Sequence, residues 1–166
     1  MPLRNANVST ANNQHGFTLI EVLIAVVILA LGLLGLAGLQ STSLRNNQSA
    51  YFRSQATQLA YDISDRVRAN SLGNYDNQAE TNSNCLADTC TPAQMAGYDL
   101  SQWNNQLRNQ LPSGEGVVCK DRTPTDGNSK TAHNCDGQGD TYAVKIWWDD
   151  DHDGAATQRF VMSFQP

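Results

Sequence analysis

Positive charge is scarce in this chain, and charge of either sign is thin. Of 166 residues, 11 are Lys or Arg and 16 are Asp or Glu, a formal net charge of −5, with only 16% of the chain charged. That balance has the wrong sign for gripping phosphate backbones over a broad face, so nucleic acid is excluded as the primary partner. Proline is missing from residues 3–91, which leaves room for a long uninterrupted helix. A catalytic constellation is missing too. His15, His133 and His152 form no arrangement with a nucleophile, and no Gly-rich phosphate loop is present. The composition therefore points away from an enzyme, and no cofactor is called for. What remains is heavy in Asn, Gln, Ser and Thr, a balance that suits a secreted or surface-exposed protein.

Long apolar runs are absent as well, with one exception. From Val22 to Leu39 the sequence reads VLIAVVILALGLLGLAGL, without a charged or strongly polar side chain. With Phe17, Leu19 and Ile20 it extends to about 23 residues, enough for a helix to cross a bilayer core of about 30 Å. The remaining ~125 residues can bury one modest core. The run is too long for a signal-peptide core, and no small-residue cleavage site follows it. Arg4 is the only full positive charge before it, favouring an N-terminus in the cytoplasm and a C-terminus outside. Glu21 stands inside the apolar stretch, where a carboxylate costs about 2.5–3.5 kcal/mol and is a functional residue by default.

Gly16-Phe17-Thr18-Leu19-Ile20-Glu21-Val22, followed by the apolar run, resembles the processing site of type IV prepilins and of type II secretion pseudopilins. The resemblance implies that residues 1–16 are a leader removed by a membrane prepilin peptidase, which cuts between Gly16 and Phe17 and methylates the new amine of Phe17. It also implies that Glu21 pairs with the N-terminal amine of a neighbouring subunit during assembly. Two ions paired in low dielectric relieve the penalty each would carry alone. Where many major pilins have a proline, this chain has Gly32, Gly35 and Gly38. Local softening of the helix and close helix packing through small residues both remain open.

Beyond Leu39 the helix is expected to continue to about residue 70. Phe52, Ala56, Leu59, Ile63 and Val67 form one apolar stripe. Residues 17–39 are then the transmembrane or filament-core part, 40–70 an amphipathic spine, and 71–166 a globular head outside the membrane. Tyr51, Phe52 and Tyr61 are expected in the core, and Gly73–Asn84 reads as a surface loop. Thr91-Pro92-Ala93-Gln94 has the form of a capping box with Pro at the first helical position. Leu100, Trp103, Leu107 and Leu111 mark one face of the helix that follows. Gly116–Lys120 is a candidate strand. Tyr142, Val144, Ile146 and Trp148 alternate with Ala143, Lys145 and Trp147, and Phe160, Met162 and Phe164 alternate with Arg159, Val161 and Ser163. The last two segments are expected to form an antiparallel hairpin with one face on the spine and Trp147 facing outward. The expected fold is α+β, a long N-terminal helix against a small antiparallel sheet, as in the type IV pilins.

Cys85, Cys90, Cys119 and Cys135 all lie beyond the apolar helix, in a compartment expected to be oxidising. Three pairings are open, and Cys85–Cys90 with Cys119–Cys135 is favoured because each closes a local, loop-rich segment. The spacings lack the paired C-x₂-C knuckles of a zinc site. Asp149, Asp151, Asp153 and Gly154 match the opening of a calcium loop, but Phe160 stands where the bidentate Glu belongs, and the flanks read as strands. An EF-hand is rejected. A solvated acidic turn is the plain reading, and a different kind of calcium turn the alternative.

Within the pilin family the resemblance is greatest to minor pilins. It is carried by GFTLIEVLIAVVILALGLLGLAGLQ, by CTPAQMAGYDLSQWNNQLRNQLPSGEGVVC and by the strand ending in WWDDDHDG. The loops 71–84 and 121–140 lie outside it. It implies a non-enzymatic, low-copy subunit that primes pilus assembly and sits at or near the tip. Its partners would be prepilin peptidase, other minor pilins and the major pilin. It would reside in the bacterial inner membrane before reaching the cell-surface pilus. A type II secretion pseudopilin and a calcium-dependent adhesion module are the alternatives.

Overall fold

The computed structural model describes residues 16–81, 84–87 and 89–166. The leader expected at residues 1–16 lies outside them except for Gly16. The elements are α1 (Leu19–Ala69), α2 (Pro92–Gln110), β1 (Glu115–Lys120), β2 (Tyr142–Trp148) and β3 (Gln158–Phe164). The chain divides into two compact units, Met1–Leu44 and Arg45–Pro166, and α1 contributes to both.

In the first unit, α1 is apolar all round. Val22, Ile24, Val27, Leu29, Leu33 and Leu36 are each more than a third exposed. A helix with this composition requires an apolar environment from outside the chain. It runs unbroken through Gly32, Gly35 and Gly38, and a Cβ at any of the three would meet open space.

In the second unit, α1 carries a stripe. Phe52, Ala56, Leu59, Ile63 and Val67 are buried with Leu100, Trp103 and Leu107 of α2, and with Val144, Ile146 and Trp148 of β2. The indole Nε1 of Trp103 donates to the Leu59 carbonyl at 2.9 Å, joining α2 to α1 within the core. A buried donor that finds its acceptor avoids the desolvation cost of an unpaired one. Helix α2 starts at the expected capping box: Thr91 Oγ1 accepts from the Gln94 amide, and the Gln94 side chain accepts from the Thr91 amide. Gly116 lies against the Trp103 ring and Leu107, where a Cβ would collide with both side chains.

The sheet is antiparallel in the order β1-β2-β3. Val118 pairs with Val144, and Val144 with Met162. Tyr142, Val144, Ile146 and Trp148 face the helices as the alternation predicts. The outward face differs from expectation, because all seven residues of β2 are buried. Trp147 is 1% exposed and packs with Val117, Cys119, Cys135 and Ala156. The segment after β1 folds back over this face, so the sheet has two covered sides.

Two further expectations are corrected. Tyr51 and Tyr61 are 56% and 57% exposed, on the side of α1 away from the core stripe, while Phe52 is buried. The stretch 73–84 is not simply a surface loop. Tyr75 is fully buried, and its hydroxyl donates to Asp99 Oδ2 at 2.6 Å. Burial raises the Tyr75 pKa above the usual phenol value, and the hydrogen bond to Asp99 adds to the rise.

Candidate functional site

The N-terminal site is built on the start of α1. Thr18 Oγ1 accepts from the Glu21 amide at 3.4 Å, and the Thr18 carbonyl accepts from the amides of Glu21 and Val22. Thr18 therefore caps the helix, and Glu21 stands in the first turn, where the helix dipole favours a negative charge. Thr18-Leu19-Ile20-Glu21 is a capping-box sequence, a signal legible in the chain that the family motif overshadows. Phe17 is 83% exposed, just ahead of the helix. One shallow apolar groove is lined by Phe17, Glu21, Val22, Ala25, Val26 and Leu29, so the carboxylate shares its surroundings with the residue expected to carry the new amine. Gly16 is exposed with no neighbour within 4 Å of a built Cβ, leaving the Gly16–Phe17 bond sterically accessible.

In the head, Cys85 is bonded to Cys90 and Cys119 to Cys135, and no cysteine is free. The second bridge ties β1 to the segment that covers the outer face of the sheet. The same segment is held by a buried ion pair. Lys145 Nζ, on β2, lies 2.6 Å from Asp121 Oδ2, both side chains being fully buried, and 2.8 Å from Asp126 Oδ1. It also donates to the His133 carbonyl at 2.7 Å. The hydrogen bond from Lys145 holds the Asp126 carboxyl below the usual carboxylate range, and the Arg122 guanidinium does the same for Asp136. Arg159 adds bonds from its guanidinium to the carbonyls of Gly127 and Thr125. Lysine, aspartate and arginine in a strand and its neighbouring loop suggest a solvated face. Only the fold reveals that they form the underside of a lid.

The Asp149–Gly154 turn is likewise built from its own acids. Asp149 is 4% exposed, and its carboxylate accepts from the amides of Asp153 at 3.2 Å and Gly154 at 2.9 Å. Burial alone would raise its pKa, but the Gly154 and Asp153 amides outweigh that and hold it below the usual carboxylate range. Asp149, Asp151 and Asp153 each bring one oxygen within 4.8 Å of the others. Phe160 sits in β3, facing the core, so no twelfth-position ligand completes a calcium loop.

Compared with known families, residues 11–37 match the prokaryotic N-terminal methylation motif, and residues 38–101 match the family described as Type IV pilin Tt1218. No curated protein and no solved structure matches the chain. The two matches adjoin and place the processing motif directly before the pilin segment. With a long apolar helix and a small antiparallel sheet packed on its later part, the chain has a type IV pilin-like fold, and its first hundred residues are similar to the type IV pilins.

Proposed function

We propose that this chain is a minor type IV pilin similar to PilV, the type IV pilus modification protein. On this reading it is a non-enzymatic subunit that takes part in priming assembly and sits at or near the pilus tip. Prepilin peptidase cuts between Gly16 and Phe17 and methylates Phe17. Before assembly the protein spans the inner membrane once through Phe17–Leu39, with its N-terminus cytoplasmic and its head periplasmic. Glu21 then pairs with the amine of a neighbouring pilin. The observation that carries the reading is the placement of the methylation motif against a helix whose apolar side chains are uncovered on every side. Such a helix is stable in lipid or among other apolar helices and nowhere else. The capped first turn supports the role of Glu21, since it fixes the carboxylate one helical turn from Phe17.

Intact-mass analysis of the protein from sheared pili and from total membranes tests this. The expected species starts at Phe17, carries one added methyl and lacks four cysteine hydrogens. Its presence in pili supports the minor-pilin assignment. Its confinement to membranes shifts the assignment to a secretion pseudopilin. A full-length, unmethylated chain overturns both. The reading requires no cofactor. Heat release on titrating calcium into the full chain would assign the Asp149–Asp153 turn to the cation instead.

A further inference from the structure

The two disulfides of the head differ in their surroundings. Cys85 and Cys90 close a short loop, and among the described residues no histidine or carboxylate joins them as a third donor. Cys119 and Cys135 bring His133 with them. Their two sulfurs and an imidazole nitrogen all lie within 4.8 Å of one another. Asn134, at φ 55°, turns the chain between His133 and Cys135. The Cys135 amide donates to His133 Nδ1 at 3.0 Å, so that nitrogen presents a lone pair beside the cysteines. Cys119 is fully buried, whereas His133 and Cys135 are half-buried, so the trio is reachable from solvent.

Contacts other than the sulfur–sulfur bond hold these positions. The Gly137 amide donates to the Lys120 carbonyl at 3.0 Å, tying the residue after Cys119 to the second residue after Cys135. Lys145 Nζ donates to the His133 carbonyl at 2.7 Å from beneath. The Lys130 amide donates to Glu115 Oε1 at 2.8 Å, and Arg159 holds the carbonyls of Gly127 and Thr125. With the bridge open, two thiols and an imidazole are thus still gathered by their neighbours. Such a bridge begins as two thiols, because it closes by a two-electron oxidation after the chain is made. Two sulfurs and one imidazole nitrogen suit Zn²⁺. Donors bound to a tetrahedral ion at about 2.0–2.3 Å lie roughly 3.5–3.8 Å apart, within reach of this set.

We propose that, before the Cys119–Cys135 bridge closes, Cys119, Cys135 and His133 bind one Zn²⁺, with water in the fourth position. Binding releases the two thiol protons. Closure by a disulfide-bearing oxidant then moves two electrons from the two thiolates to the oxidant's disulfide. The oxidant takes up two protons and leaves as two thiols, the Cys119–Cys135 bond forms, and Zn²⁺ is freed. Until that step the ion joins β1 to the segment over the sheet, as the bridge does afterwards. It also keeps Cys119 and Cys135 from pairing with Cys85 or Cys90.

Cobalt is a suitable probe, because its tetrahedral thiolate complexes absorb where the free ion does not. The test uses the full chain in detergent, reduced, with Cys85→Ser and Cys90→Ser so that only Cys119 and Cys135 carry thiols. Co²⁺ is expected to give a thiolate charge-transfer band that saturates at one ion per chain and is displaced by Zn²⁺. The oxidised chain is expected to give none. Adding His133→Ala should weaken binding by at least about tenfold, the loss that even an outer partner of a metal site shows. A second measurement needs no substitution. During oxidation of the reduced chain by glutathione disulfide, remaining thiols are alkylated at intervals and the peptides weighed. Zn²⁺ is expected to slow closure of Cys119–Cys135 and to leave Cys85–Cys90 unchanged. Absence of the cobalt band, equal affinity with and without His133, or a Zn²⁺ effect that is the same on both bridges would overturn the proposal.

Discussion

Residues 22–39 of α1 leave their leucines, isoleucines and valines uncovered, whereas in the head even a lysine is fully buried. The difference lies in arrangement more than in apolar content. Residues 22–39 are apolar on every side and have no polar face to give to water, and none of the described residues covers them. The head has one apolar stripe on α1, one on α2 and a sheet between coverings, so it completes itself. Several of its buried polar groups are satisfied in pairs, as with Lys145 and Asp121 or Tyr75 and Asp99. On the proposed reading the charge at Glu21 serves to meet another molecule, whereas Lys145 in the head holds a loop.

The sharpest way to break this contrast is at Glu21. Glu21→Ala is expected to leave membrane insertion intact and to remove the protein from pili altogether, read by immunoblot of membranes and sheared pili. Normal incorporation would move Glu21 out of the assembly role. Next in size is Lys145→Met, which strands the buried Asp121 carboxylate and is expected to cost about 3–5 kcal/mol. Leu29→Met, in the uncovered helix, should leave the head's thermal melt unchanged within about 0.5 kcal/mol. Equal melts for the two variants would erase the contrast. Replacing Cys119 and Cys135 together by Ser is expected to cost about 2–4 kcal/mol, and to raise the fluorescence sensitivity of Trp147 to quenchers as its cover loosens.

The smallest effect is that of acid. The Asp126, Asp136 and Asp149 carboxyls lie below their ordinary value of 3.8 in the fold. Each therefore contributes stability that is fully present above that value and lost as pH falls through the lower folded value. Denaturation curves should be flat in these groups near neutrality and decline below about pH 4. Asp149→Asn is expected to shallow that decline.

Much of this was legible in the residues. The apolar run, the capping box at Thr91, the alternation of β2 and β3 and the stripe from Phe52 to Val67 are local patterns whose period matches the element they form. The edges of the reading are where a distant segment intervenes. Alternation puts Trp147 on the outward side of β2, and says nothing of whether another segment covers that side. Nothing in the sequence marks Tyr75 as a core residue, since it sits among Asn and Asp in a stretch with no period. The Tyr51 and Tyr61 rings follow their helical angle, about a third and nearly half a turn from the centre of the stripe, which an aromatic count ignores.

The sequence by itself determined the processing motif, the uncovered helix and the kinds of elements in the head, since each depends on neighbours within a few residues. Tertiary structure alone decided that residues 121–137 cover the outer face of the sheet with Lys145 beneath them, and that Trp147 and Tyr75 are buried. Those features depend on which far-apart segments meet, and the chain settles that only by burying its apolar surface while leaving as few polar groups as possible unpaired.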